Sequence, residues 1–177
     1  KKDKLCLLGG EPTIKKPLKP YKTIGFRETK SVLEVMSSGN LSGFVGAWCN
    51  QYDGGPFIRK LEEQWCQVFK SRYSISMNSN TSGLIAALGA IGLSPGDEVI
   101  VPPMTMSATV MAPLFYGGIP VFVDIEDKFF CLDYEKVVSA ITEKTKAIMV
   151  VNLFGHPAEI IKLRKLADKK GIYLIED

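Results

Sequence analysis

The sequence predicts an α/β fold with three layers, in which helices cover both faces of a mostly parallel sheet. Three observations predict it. Strand-like and helical segments alternate along residues 73–177. The predicted strands are apolar at nearly every position, which is typical of strands buried on both faces. Turn-forming residues, chiefly glycine and proline, separate the segments at short intervals.

The first part of the chain shows weaker patterns. Residues 1–25 hold three prolines and no sustained hydrophobic period, so they are predicted to form an extended arm. Within 26–38, apolar residues at helical spacing predict a short helix that ends at Gly39. Residues 41–55 are rich in glycine and weakly patterned, so they are predicted to form a loop with a functional or interface role.

A clear helix is predicted from Pro56 to Lys70. Proline suits the first position of a helix, and here it follows two glycines. Apolar residues recur every three or four positions along this helix and form a face that is predicted to lie in the core: Ile58, Leu61, Trp65 and Val68. Residues 73–77 then alternate between apolar and polar side chains and predict a strand, followed by a turn at 78–81 and a helix at 82–91.

The rest of the chain repeats the strand–helix rhythm. Short apolar runs predict strands at 98–101, 120–125, 146–152 and 172–176. Helices are predicted between them at 107–116, 133–141 and 157–170. A glycine follows the first and the last of these helices, as is common where a helix ends. Asp133 is predicted to cap the middle helix, with Leu132 and Val137 forming a hydrophobic staple.

The composition narrows the functional classes. The net charge of +3 is too small to suggest nucleic-acid binding. Residues 1–30 hold nine Lys or Arg and three acidic residues, which are predicted to form a solvated arm. The four cysteines form no CxxC pair and give no sign of a metal site, so a reduced, cytoplasmic protein is the simplest interpretation. No apolar run approaches about 18 residues, so no membrane span is expected.

Polar residues are concentrated where the predicted strands end. In a parallel sheet, ligands bind beyond the carboxyl ends of the strands. The turn after 73–77 leads into a helix, and free backbone N–H groups at a helix N-terminus bind phosphate readily. Thr81 and Ser82 would add hydroxyl donors there, although Asn80, Thr81 or Ser82 could instead serve only as a helix cap.

Two other residues at strand ends have several interpretations. Asp177 follows an apolar strand, so we expect a half-buried carboxylate that pairs with a lysine, a metal or a protonated cofactor nitrogen, unless it is only a solvated end residue. His156 is the only histidine, and it either contacts the site or caps the helix that follows it. Neither GxGxxG nor GxxxxGK[ST] occurs, so dinucleotide and P-loop sites are not expected.

A set of short stretches carries a resemblance to a known family. They are SSGNLSG at 37–43, NSNTSGL at 78–84, SPGDEVIVP at 94–102, Thr105, IPVFVD at 119–124, LFGHPA at 153–158 and LIED at 174–177. From about Val32 to Asp177 the chain resembles the first half of DegT/StrS-type sugar aminotransferases. These enzymes use pyridoxal 5′-phosphate (PLP) and have the aspartate-aminotransferase fold.

The resemblance implies roles for five residues at the strand ends. Thr81 and Ser82, with Asn80 beside them, would hold the PLP phosphate at the helix N-terminus. Asp177 would pair with the pyridinium nitrogen and keep it protonated. Met106 would lie over the cofactor ring, where family members often carry an aromatic residue, so its sulfur would contact the ring without stacking in the same way.

The resemblance also implies a division of the chain and a missing catalytic group. Residues 1–30 would be an N-terminal arm, and residues 31–177 would be the N-terminal part of the large PLP-binding domain. His156 is a candidate active-site contact. The family's Schiff-base lysine lies after the aspartate, so the resemblance implies that no catalytic lysine is present up to Asp177 and that the chain is inactive alone.

The implied activity is transfer of an amino group, with glutamate as donor, to a nucleotide-linked keto-sugar. Such enzymes act in cell-surface polysaccharide or secondary-metabolite sugar biosynthesis, and the resemblance implies a homodimer. Two alternatives stay open at this point. The first is a PLP-dependent sugar dehydratase of the same family, and the second is a non-catalytic α/β fragment that acts as a regulator or partner subunit.

Overall fold

The structure is a computed structural model that describes residues 4–41, 43, 46–48, 52 and 54–177. The chain divides into two compact units between Ser76 and Met77. The loop predicted at 41–55 falls partly outside the described residues, and Cys49 lies outside them entirely. Within the described ranges, no helix is both long enough and apolar enough to cross a membrane.

In the described part of the first unit, a short 3-10 turn at Cys6–Leu8 is followed by two α-helices, α1 (Phe26–Ser38) and α2 (Pro56–Phe69). Helix α1 ends, as predicted, at Gly39, whose positive φ of 68° suits glycine. Pro56 begins α2, also as predicted.

The described residues leave most of the apolar face of α2 exposed. Trp65 remains 51% exposed, and Leu61 and Val68 are exposed as well. The prediction that this face lies in the core is therefore wrong for the described chain. The reason is physical: periodicity predicts an apolar stripe, but burial requires a second layer to pack on it. The ring contact between Trp65 and Phe69, with centroids 4.4 Å apart, shields only part of the stripe.

The second unit is built on a parallel sheet of four strands: β1 (Glu98–Val101), β2 (Ile119–Phe122), β3 (Thr145–Val150) and β4 (Tyr173–Glu176). The strands lie in the order β2-β1-β3-β4, and every pairing is parallel. Its helices are α3 (Asn80–Ala90), α4 (Ser107–Leu114), α5 (Tyr134–Ala140) and α6 (Ile160–Lys170), with a 3-10 turn at Leu153–Gly155.

Side chains that alternate along the strands form two cores, one on each face of the sheet. One core contains Val99, Val101, Ala147 and Met149, and it includes Leu84 and Leu88 of α3 and Ala112 of α4. The other contains Ile100, Ile148 and Val150, and it includes Val137 of α5 and Leu163 of α6. The three-layer α/β fold predicted from the sequence is thus confirmed.

The start of α5 confirms a local prediction. The Asp133 carboxylate accepts hydrogen bonds from the backbone N–H groups of Glu135 and Lys136, at 2.9 and 3.2 Å. Leu132 and Val137, the residues predicted as a staple, are both buried in the same core. The cap and the staple together fix where α5 begins.

The predicted strand at 73–77 is not present. These residues form no strand, and Tyr73 and Ile75 are exposed. Alternation predicts an extended backbone, whereas a strand also needs a neighbour to share backbone hydrogen bonds. Among the described residues, the sheet neighbours of β1 to β4 are one another, so this segment has no ladder partner.

We expect Leu163→Ala to destabilise the chain by about 2–5 kcal/mol, because it leaves a cavity under α6. Leu163 is 0% exposed in the core. The matched control is Ile161→Ala on the same helix, where the side chain is 75% exposed, and its effect should stay within about 0.5 kcal/mol. Chemical denaturation measures both, and equal effects would contradict the assignment of the buried face.

Candidate functional site

A small cavity lies at the carboxyl edge of the sheet. Its volume is about 250 Å³, and it is lined by Asn80, Thr81, Thr105, Met106, Ala108, Val151, Leu153 and Asp177. These residues come from the first turn of α3, the start of α4 and the segments that follow β3 and β4. The position agrees with the general rule that open parallel sheets bind ligands beyond their strand ends.

The first turn of α3 begins earlier than predicted. Ser79 is the N-cap, and its Oγ accepts a hydrogen bond from the backbone N–H of Ser82 at 3.2 Å. The sequence had suggested Asn80, Thr81 or Ser82 as the cap, but these residues form the first helical turn instead. Among the described residues, the backbone N–H groups of Asn80 and Thr81 have no acceptor. They are therefore available to an anion.

The Asp177 carboxylate is half-buried and held by two side chains. Its Oδ1 accepts a hydrogen bond from Asn80 Nδ2, and its Oδ2 accepts one from Thr109 Oγ1, each at 2.6 Å. The backbone of Asp177 continues the pairing of β4, since its N–H donates to the Val150 carbonyl at 2.8 Å. The sheet thus brings Asp177 to the N-terminus of α3, although Asn80 lies 97 residues earlier in the chain.

Asn152 forms hydrogen bonds that join the segments lining the cavity. Its backbone N–H donates to the Asp177 carbonyl at 3.2 Å, and its Nδ2 donates to Glu176 Oε1 at 2.5 Å. Its Oδ1 accepts the backbone N–H of Ala158 at 3.0 Å. Asn152 therefore links the residues that follow β3 and β4 to the segment that precedes α6.

Thr109 is a site residue that the sequence reasoning missed. It is fully buried in α4, and its hydroxyl lies 2.7 Å from that of Thr105, which precedes α4 by two residues. Helical spacing could not have predicted this contact, because Thr105 lies outside the helix. A buried Thr in an apolar helix also resembles an ordinary β-branched core residue.

The structure brings together four of the five residues predicted to bind a cofactor. Asn80, Thr81, Met106 and Asp177 line the cavity. Ser82 belongs to the same helical turn but does not line it, and its hydroxyl lies 3.0 Å from that of Ser79. Met106 precedes α4 and is 77% exposed at the mouth. The roles of these residues toward a cofactor stay predictions.

His156 does not line the cavity. Its ring stacks on that of Phe129, with centroids 3.6 Å apart and planes inclined by 10°. Its Nδ1 is buried without a hydrogen-bond partner among the described residues. Its carbonyl accepts a weak hydrogen bond from Cys131 Sγ at 3.7 Å. His156 therefore packs against the 126–131 loop, and its contact with an active site stays a prediction.

Glu126 organises that loop. Burial acts to raise the pKa of its carboxyl, but hydrogen bonds donated by the backbone N–H groups of Cys131, Phe129 and Lys128 outweigh burial and lower the pKa. The pKa of the Glu126 carboxyl is lower in the folded chain than its ordinary value. Its ionised form therefore stabilises the folded chain at neutral pH. It is lost as the pH falls through the folded pKa.

The chain is similar in sequence to members of a known protein family. A model of the DegT/DnrJ/EryC1/StrS aminotransferase family matches residues 46–177. The chain is 38% identical over 127 residues to the 3-oxo-glucose-6-phosphate:glutamate aminotransferase of Bacillus subtilis, covering 72% of this chain and 29% of that protein. It is 41% identical over 119 residues to the UDP-N-acetyl-3-dehydro-alpha-D-glucosamine 3-aminotransferase of Acidithiobacillus ferrooxidans, covering 67% and 32%.

A solved structure gives the same result for the fold. The GDP-4-keto-6-deoxy-D-mannose-3-dehydratase of E. coli, with bound hydrated PLP, superposes with a TM-score of 0.77 at 28% identity. The match covers 89% of this chain and 39% of that one. The chain spans about a third of the length of the curated relatives it matches. On the family match over residues 46–177, the chain belongs to the DegT/DnrJ/EryC1/StrS aminotransferase family.

Proposed function

We propose that this chain forms the cofactor-binding part of a PLP-dependent sugar aminotransferase. One observation carries the proposal: a helix N-terminus with two free backbone N–H groups and a half-buried carboxylate line the same cavity. PLP has a phosphate at one end and a basic ring nitrogen at the other. The two groups of the cavity match those two ends in charge and in hydrogen-bonding type.

The phosphate end is assigned to the first turn of α3. The backbone N–H groups of Asn80 and Thr81 are free to donate, and the helix dipole adds a partial positive charge there. The exposed Thr81 hydroxyl supplies a further donor at the same turn. Ser82 supports this turn through its contacts with Ser79 and contributes less directly.

The ring end is assigned to Asp177. An ionised carboxylate accepts about four hydrogen bonds, and side chains of the described residues occupy two of those positions, one on each oxygen. Capacity therefore remains for the N–H of a protonated ring nitrogen. The residues present fit the cofactor at this end as well.

When bound, PLP supplies the carbonyl group that carries an amino group between donor and acceptor. Asp177 would hold a proton on the ring nitrogen, which would make the ring a better acceptor of electrons. The first turn of α3 would hold the phosphate. Val151 and Leu153 would supply an apolar wall, and Met106 could contact the ring through its sulfur.

The substrates are proposed from the relatives. The amino acceptor is a nucleotide-linked keto-sugar, as the name of the Acidithiobacillus enzyme indicates for that enzyme. The donor is glutamate, which the Bacillus enzyme's name states for that enzyme. We further propose a cytoplasmic homodimer in which residues 1–30 form an arm and residues 31–177 belong to the large domain.

A dehydratase is the second candidate, because one of the similar structures is a PLP-containing sugar dehydratase. The two activities leave different products. Amino transfer from glutamate yields an amino-sugar and 2-oxoglutarate, whereas dehydration yields a deoxy keto-sugar. Product analysis of the protein to which this chain belongs therefore distinguishes them.

Thr81→Val should lower the affinity of the chain for pyridoxamine 5′-phosphate by about 10-fold. The change removes a hydroxyl donor to a charged phosphate, and such hydrogen bonds contribute about 1.5–3 kcal/mol. Isothermal titration measures the affinity. Pyridoxamine 5′-phosphate is used because it needs no covalent bond to a lysine.

Ser107→Ala is the matched control, since this exposed hydroxyl begins α4 outside the cavity and its loss should leave the affinity unchanged. Inorganic phosphate and unphosphorylated pyridoxamine are tested beside the full ligand, and each should bind more weakly. If the wild-type chain bound pyridoxamine 5′-phosphate no better than inorganic phosphate, the proposed function would lose its basis.

A further inference from the structure

We propose that Thr105 and Thr109 form a hydroxyl relay that holds the Asp177 carboxylate in one orientation. They would be positioning residues for the proposed cofactor site, so the inference rests on the proposed function. The relay joins two hydroxyls 2.7 Å apart and ends on Asp177 Oδ2 at 2.6 Å.

The direction of the relay follows from the donors available. An ionised carboxylate can only accept hydrogen bonds, so the single O–H proton of Thr109 points to Asp177. The oxygen of Thr109 is then left to accept, and Thr105 must donate to it. The Thr105 oxygen keeps its lone pairs at the cavity, which Thr105 lines.

The burial of Thr109 indicates that its hydroxyl has a specific role. It is 0% exposed in α4, where the other buried residues, Ala112 and Pro113, are apolar. A buried helical threonine ordinarily bonds a carbonyl of the preceding turn. Here the hydroxyl instead bonds a carboxylate 68 residues away, on the segment that follows β4.

The two donors to Asp177 differ in their surroundings. Asn80 is exposed on the first turn of α3, so solvent competes for its amide. Thr109 is fixed by core packing and donates from the buried side. With one oxygen held from each side, the carboxylate plane is fixed and its remaining acceptor positions are presented to the cavity. Thr109 is the more rigid anchor of the two.

The first test uses the chain without ligand. Thr109→Val removes the hydroxyl and keeps the branched shape, whereas Thr109→Ser keeps the hydroxyl. The three-bond Hα–Hβ couplings of Asp177, measured by NMR, report whether its side chain holds one rotamer. We expect one rotamer in the wild type and the serine variant and rotamer averaging in the valine variant. Wild-type couplings in Thr109→Val would overturn the relay.

The second test compares two ligands. Thr109→Val should weaken binding of pyridoxamine 5′-phosphate by about 10-fold, and Thr109→Ser should restore it. An analogue with carbon in place of the ring nitrogen has no N–H for Asp177, so the same substitution should leave its affinity unchanged. Equal losses with both ligands would indicate a merely structural role and would overturn the relay.

The outcomes separate this inference from the proposed function. If the wild-type chain fails to bind pyridoxamine 5′-phosphate, the proposed function fails, while the Asp177 couplings still decide whether the relay exists. If Thr109→Val does not fold, Thr105→Val takes its place at a less buried position. It should give a smaller rotamer change in the same direction, and no change would overturn the relay.

Discussion

Asp177→Asn is expected to lower the affinity of the chain for pyridoxamine 5′-phosphate by about 10- to 100-fold. The substitution keeps the size of the side chain and removes its negative charge. The proposed pair with a protonated ring nitrogen would then be lost, and hydrogen bonds to charged groups contribute about 1.5–3 kcal/mol. Titration calorimetry at neutral pH measures the loss.

Glu176→Gln is the matched control for that substitution. Glu176 is the preceding residue and is exposed, and its carboxylate accepts a hydrogen bond from Asn152 that a glutamine oxygen also accepts. The control also removes one negative charge, so it separates a general charge effect from a specific pair. Equal losses for both variants would show that Asp177 has no specific partner in the ligand.

The second large effect concerns turnover. We expect the 177-residue chain to transfer no detectable amino group from glutamate to a keto-sugar, even when PLP is bound. Amino transfer on PLP needs a lysine amine at the cofactor carbonyl. The chain has 18 lysines, and none is among the described residues that line the cavity.

Borohydride reduction tests this expectation directly. The chain is mixed with PLP, reduced, digested and mapped by mass spectrometry, while a parallel sample is assayed for 2-oxoglutarate. The expected result is scattered, substoichiometric labelling of surface lysines and no 2-oxoglutarate. One lysine labelled to full stoichiometry, together with 2-oxoglutarate formation, would contradict the expectation.

Much of the fold was predictable because its signals are local. Apolar runs bounded by turns predicted β1 to β4 within a few residues, and Asp133 marked the start of α5. The prediction of a strand at 73–77 was wrong. The alternation of apolar and polar residues is a local feature, whereas pairing with a neighbouring strand depends on distant residues. The prediction of a buried face on α2 was wrong for a similar reason. The sequence of a helix shows its apolar stripe but not whether another element packs on it.

The location of the site could be predicted from the sequence better than the contacts within it. The rule that ligands bind beyond strand ends selected Asp177, and the free N–H groups expected at a helix N-terminus selected Thr81. The rule could not choose among adjacent cap-forming residues, and Ser79 proved to be the cap. It also could not show that Thr109 reaches Asp177, because that contact depends on how α4 packs on the sheet.

The most direct test of the cofactor site is an NMR spectrum of the chain bound to pyridoxamine 5′-phosphate carrying 15N in its ring. The 15N shift reports whether the ring nitrogen is protonated, and the backbone amide signals report where the phosphate lies. We predict a ring nitrogen that stays protonated well above the pH at which the free ligand loses that proton, with the largest amide shifts at Asn80 and Thr81. A neutral ring nitrogen with unshifted Asn80 and Thr81 amides would contradict the assignment of both ends of the cavity.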